Sequence, residues 1–167
     1  HQPRRQRQMC IRDRVSTRLA DLYDDVVLDV WSEATREHAT DPRLGDLSLV
    51  AHGGFGRRDL APYSDADLML LATRSSEKLA QQVAGDLTRD LVDAGIQPGF
   101  AIRAPEEACK LSWSDPVVFS SLAESRLLAG SLQLYSKFFH ALRHGAMRRG
   151  KRLIRDVVAA RREERQK

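Results

Sequence analysis

At 167 residues, 42% hydrophobic and 30% charged, the composition is that of one soluble globular domain with a real core. No apolar run approaches the length of a membrane span or reads as a signal peptide, and neither a membrane partner nor a nucleic-acid partner is expected. The net charge of +4 is uneven: residues 1–18 hold six Arg against one Asp, residues 143–167 hold ten Lys and Arg against three acids, and the stretch between is acidic.

Basic ends of this kind are most often solvated faces or tails. An acidic middle suits a bound cation better than a bare phosphate groove. Cys10 and Cys109 offer no paired metal spacing and read as reduced thiols of a cytoplasmic protein.

Taken in order, residues 1–14 carry much Arg and no apolar period, and are expected to be a disordered or non-native arm outside the fold. Val15, Leu19, Leu22, Val26 and Val30 then recur at helical spacing, which predicts an amphipathic packing helix from Val15 to about Glu37. His38, Asp41, Pro42 and Gly45 mark the loop that ends it. Asp46 to Ala51 is the first predicted strand. It runs through His52, read as a local hydrogen-bonding residue, into Gly53-Gly54 and Gly56-Arg57.

A turn, Ala61-Pro62-Tyr63-Ser64, precedes Asp65-Ala66-Asp67, which opens a second apolar run from Leu68 to Leu71. Strand residues two apart share a face, so Asp65 and Asp67 are expected to project together from the start of a buried strand. Paired carboxylates repel each other and are costly beside a core. A divalent cation removes that cost, and Mg²⁺ is typically held by one or two carboxylates plus substrate phosphates. Gly53 and Gly54 make a turn whose backbone N–H groups can approach phosphate. Arg57 beside such a turn has reason to pair with phosphate oxygens. Ser64 either caps its own turn or contacts a triphosphate. Each part alone is commonplace, but the joint pattern of strand, Gly-Gly, Gly-Arg, Ser-Asp-x-Asp and strand points to metal-dependent nucleotidyl transfer.

Leu79, Val83, Leu87 and Leu91 predict a second helix over Ser75–Ala94, ended by Gly95. Ile96 to Arg103 reads as a third strand, bent by Pro98-Gly99. Pro105 to Leu111 suits a short helix with Glu106 and Glu107 near its positive end. Asp115 is a cap, and Val117 to Leu128 is open between helix and strand. Ser131 to Leu142 is helical, Gly145 interrupts, and Arg148 to Lys167 reads as a basic helix with a thin apolar stripe.

The run from Gly53 to Leu68, GGFGRRDLAPYSDADL, resembles the bacterial PII uridylyltransferase family, within the nucleotidyltransferase superfamily that includes DNA polymerase beta. The similarity continues through Gly99–Glu107 and Ser121–Gly130. The resemblance implies an α+β fold: a short mixed sheet flanked by helices, with a helical C-terminal half. It implies a nucleotidyltransferase domain over 15–130 and a helical extension over 131–167, leading in that family to a phosphohydrolase-type domain and paired small-molecule-sensing domains.

It further implies Mg²⁺ as cofactor, UTP as donor and a tyrosine of the PII signal protein as acceptor. Asp65 and Asp67 would be the catalytic metal ligands, and Gly53, Gly54, Arg57, Ser64 and Arg103 the nucleotide contacts. Two departures stand out. Phe100-Ala101 occupies a place where the family usually has His-Ser, and the third strand lacks the carboxylate that superfamily members often carry there. Glu124 is a candidate replacement, with an ion pair to a nearby Arg as the ordinary alternative. The residues do not read uracil against adenine. An adenylyltransferase-like enzyme and a catalytically silent protein-binding module of the same fold therefore stay open.

Overall fold

Two strands with almost no exposed side chain form the centre of the molecule, β1 (Leu47–Ala51) and β2 (Ala66–Ala72). They pair antiparallel, with Leu49 opposite Leu70 and Ala51 opposite Leu68. β3 (Pro98–Arg103) runs parallel to β2, and β4 (Arg126–Gly130) runs antiparallel to β1. The result is one mixed sheet in the order β3-β2-β1-β4. The computed structural model describes residues 4–164, with side chains described for 14–150 and 155–159.

Strands buried on both faces need helices on both sides. α1 (Arg4–Arg36) and α3 (Glu77–Asp93) cover one face. There Leu47, Leu49, Leu68 and Leu70 pack with Val27, Leu79, Val83, Leu87 and Leu91. α4 (Pro105–Ser114), α5 (Pro116–Ala123) and α6 (Leu132–Glu164) cover the other, where Val50, Met69 and Leu71 meet Ala108, Cys109, Leu122, Phe138 and Leu142. Side chains alternate along a strand, so Asp67 belongs to the Met69–Leu71 row and opens towards the α4–α6 side at the beginning of β2. Between β1 and β2 the chain makes α2, a single turn over Gly53–Gly56. A mixed sheet flanked by helices, with a helical C-terminal half, is the expected fold class.

Several boundaries differ from expectation. α1 begins at Arg4 and not at Val15; residues 1–3 of the expected arm, like residues 165–167, lie outside the described residues. Arg and Gln are good helix formers, and extending a helix already nucleated and packed costs little. α6 runs unbroken through Gly145. That glycine is there for close approach: a Cβ on it would fall 2.4 Å from Cζ2 of Trp113. The open stretch from Val117 to Leu128 divides into α5 and the start of β4. Asp115 caps α5, its Oδ1 accepting from the N–H groups of Val117 (2.8 Å) and Val118 (3.3 Å). Among the described residues no helix is long and apolar enough to cross a membrane.

Candidate active site

The site is built where β1 ends, α2 turns and β2 begins. The N–H of His52 donates to the carbonyl of Asp67 at 3.0 Å, tying the end of β1 to the start of β2. Gly53 follows in the left-handed region at φ +57°, a conformation that costs a residue with a Cβ about 1–2 kcal/mol. The second reason for glycine is space. A Cβ on Gly53 would lie 2.3 Å from Oδ2 of Asp67, and one on Gly99, the β3 partner of Asp67, would lie 3.1 Å from its Oδ1. The Asp67 carboxylate therefore rests in a notch between two glycines, one from the turn and one from the neighbouring strand.

Two further side chains reach this notch. Ser121 of α5 places its Oγ 3.2 Å from the position of a Cβ on Gly53, and the same oxygen is 2.8 Å from Nδ1 of His52. Burial pushes the His52 imidazole below its ordinary pKa, with the Asp67 charge and a backbone hydrogen bond opposing that shift. Ser121 is part of the resembling stretch but was not among the expected site residues. Its separation from His52 by 69 positions hides the contact from any local pattern.

Asp65 lies one residue ahead of β2 and is exposed. The N–H of Ala66, between the two acids, is bonded to the carbonyl of Gln97 at 2.8 Å. Ser64 performs its capping role, its Oγ accepting from the N–H of Ala61 at 3.1 Å. Gly54 is within α2, and its carbonyl accepts from the N–H of Asp59 at 2.9 Å. Arg57 follows α2 and forms an ion pair with Glu124 at 2.7 Å. Glu124 thus takes the ordinary role of pairing with an Arg.

Arg103 is not brought to Asp67. It sits opposite Leu71, four residues along the parallel pair from the Asp67–Gly99 step, or about 13 Å at strand rise. There it pairs with Glu107 at 3.5 Å and lines a separate cleft of about 880 Å³ with Arg74, Lys110, Trp113 and Lys137. Position along the strand explains the difference: Gly99 stands beside Asp67 at the beginning of β3, and Arg103 ends the same strand.

Among the described residues no group of three or more His, Cys, Asp and Glu is placed to hold a metal ion. Two carboxylates completed by substrate phosphates are a sufficient donor set for Mg²⁺. The Asp67 carboxylate fits that use. Among the described residues no hydrogen bond or ion pair to it is found, and two glycines keep its surroundings clear.

A four-stranded mixed sheet with helices on both faces, and an acid at the start of a central strand against a glycine turn, is compatible with a nucleotidyltransferase-type fold. The chain is similar to the bifunctional uridylyltransferase/uridylyl-removing enzyme of Methylococcus capsulatus, 34% identical over 131 residues, which is 74% of this chain and 14% of that protein. It is also similar to the protein of the same description from Streptomyces coelicolor, 37% identical over 116 residues, covering 70% of this chain and 13% of the relative. A Psychrobacter relative is 42% identical over 87 residues, covering 52% of this chain and 10% of its own length. The chain thus spans a small part of the curated relatives it matches. No family model matches it.

Proposed function

We propose that this chain carries Mg²⁺-dependent nucleotidyl transfer, moving UMP from UTP to a tyrosine hydroxyl of a PII-type nitrogen-regulatory protein and releasing pyrophosphate. The observation that carries this reading is the Asp67 carboxylate set in the notch between Gly53 and Gly99. The relatives' description as uridylyltransferases supports the choice of donor. A cytoplasmic place of action goes with it.

On this reading Asp65 and Asp67 hold the cation. A Mg²⁺ ion held by these two carboxylates would supply charge neutralisation for the phosphates. The Gly53-Gly54 turn offers backbone N–H groups to the triphosphate, and Ser64 keeps the approach to Asp65 in a fixed turn. Arg57 stands beside the turn and would exchange Glu124 for a phosphate oxygen. The acceptor oxygen attacks the α-phosphorus, the bond to the bridging oxygen breaks, pyrophosphate leaves and the hydroxyl proton passes to solvent. Positioning and charge supply most of the acceleration in such a reaction. Arg103, at the far end of β3, is given no part.

A second reading rests on a specific observation. The β3 residues opposite Asp67 and Met69 are Gly99 and Ala101, so that strand offers no third carboxylate, and Glu124 is engaged by Arg57. This favours a silent protein-binding module of the same fold. One experiment separates the readings and also tests an adenylyltransferase-like alternative: pyrophosphate release with each nucleoside triphosphate, with and without Mg²⁺ and PII. Mg²⁺-dependent release with UTP and PII supports transfer. Release with ATP alone moves the donor to adenine. Binding of PII without release from any triphosphate supports the silent module.

A further inference from the structure

We infer that Arg126, held by Asp24 of the first helix, is a positioning residue for the glycine turn. The inference rests on the proposed function for its link to nucleotide. α2 has four residues, too few to hold its own shape, so its position must be imposed by its surroundings. Arg126 supplies such a constraint. It is the first residue of β4 and lies opposite Ala51, the last residue of β1 before the turn.

Its Nη2 donates to the carbonyl of Phe55, the third residue of α2, at 3.3 Å and to Oδ1 of Asp24 at 2.6 Å. The guanidinium carbon lies 5.1 Å from the centre of the Phe55 ring, and Tyr23 of α1 meets that ring edge-on at 6.1 Å. Phe55 is fully buried. One side chain therefore grips both the backbone and the ring of the same turn residue.

Asp24 also approaches Arg58, just beyond the turn, at 3.6 Å, and Asp21 one helical step away pairs with the same Arg58. Arg58 itself sits in the left-handed region at φ +61°. The acidic face of α1 thus holds the turn from beneath through Arg126 and from its exit through Arg58. The Asp24–Arg126 pair is largely withdrawn from water, with side chains 15% and 26% exposed. Nε of Arg126 is buried without a hydrogen-bond partner. A pair this costly to desolvate is a poor source of stability, and its use here is to fix a geometry. A phosphate turn displaced by a fraction of an ångström binds triphosphate in the wrong place.

The test uses the full chain with two variants, Arg126→Lys and Asp24→Asn. Lysine keeps the charge towards Asp24 but cannot fork to the Phe55 carbonyl or lie flat on its ring. Steady-state kinetics with UTP are expected to show KM raised about tenfold in both variants, measured where both are folded. A merely structural role would lower the active fraction, so apparent kcat would fall with KM unchanged. Amide exchange provides a readout that needs no activity: the Gly56 and Arg57 amides, bonded to the carbonyls of His52 and Gly53, should exchange faster in Arg126→Lys, while those of β1 and β2 keep their wild-type rates. Turn amides that stay at the wild-type rate overturn the inference whatever the kinetics show. An unaltered chain that releases no pyrophosphate, with exchange still accelerated in the variant, sinks the proposed function and leaves the clamp standing.

Discussion

Gly53 leaves the room that the carboxylate of Asp67 occupies: a Cβ there would stand 2.3 Å from Oδ2, on a backbone already at φ +57°. Gly53→Ala is expected to push the carboxylate aside and to strain the turn by about 1–2 kcal/mol. Pyrophosphate release with UTP should drop at least about tenfold, since a small misplacement at the reacting centre is costly. Gly54→Ala is the stability control. A Cβ at residue 54 would meet the carbonyl of Asp59 at 3.4 Å, an ordinary contact, so its thermal midpoint should stay close to that of the unaltered chain.

Replacing either acid by its amide tests the metal assignment. Asp65→Asn and Asp67→Asn are each expected to reduce UMP transfer by at least about a hundredfold, because metal charge stabilisation is worth several kcal/mol. Melting should change little, since Asp65 is exposed and no ion pair to Asp67 is found among the described residues. Transfer of labelled UMP at the wild-type rate by either variant would remove that residue from the mechanism.

His52 should be visible to pH. Burial holds its imidazole below the ordinary 6.5, so the folded protein keeps it neutral where the unfolded chain takes up a proton. Stability is therefore expected to fall as pH drops below about 6.5 towards the folded-state pKa, and this slope should disappear in His52→Asn. Asp67→Asn removes a charge that favours the protonated ring, so the imidazole should then titrate lower still. A proton NMR titration of the ring reads both. A midpoint above 6.5 in the unaltered chain contradicts the burial of His52 against Ser121.

Gly145 is expected to behave against helix propensity. Alanine is worth about 1 kcal/mol over glycine in a helix interior. At residue 145, however, the new Cβ would fall 2.4 Å from the Trp113 ring, which also carries the Arg149 guanidinium at 4.4 Å. Gly145→Ala should lower stability by about 1–3 kcal/mol through overpacking and shift the tryptophan fluorescence. Gly85→Ala in α3, where a Cβ would meet nothing within 4 Å, should raise stability instead. Chemical denaturation of the two variants checks the pair.

Much of this arrangement was legible in the sequence because it is local. The near-continuous apolar runs marked β1 and β2, and the four-residue spacing from Leu79 to Leu91 marked α3. Gly53, Gly54 and Asp67 stand within fifteen positions of one another, so the β1–β2 pair brings them together, while Gly99 arrives from β3. What escaped notice depends on distant parts of the chain. β4 is a strand because Arg126–Gly130 pairs with β1, which no periodicity in so short a run announces. Ser121 reaches the site only because α5 lies across the α4–α6 face. Arg103 read as a site residue because its stretch resembles a family motif. The parallel register then carried it four residues past the notch. Gly145 read as a helix break because its partner, Trp113, is on another helix.

The central claim is that Asp67 and the glycine turn together seat a cation-bound triphosphate. Calorimetric titration of UTP into the chain, with Mg²⁺, with EDTA, and with Asp67→Asn in place of the unaltered protein, tests it most directly. Saturable binding that requires Mg²⁺ and is lost in Asp67→Asn is the expected result. Equal binding in all three titrations, or none in any, would contradict it.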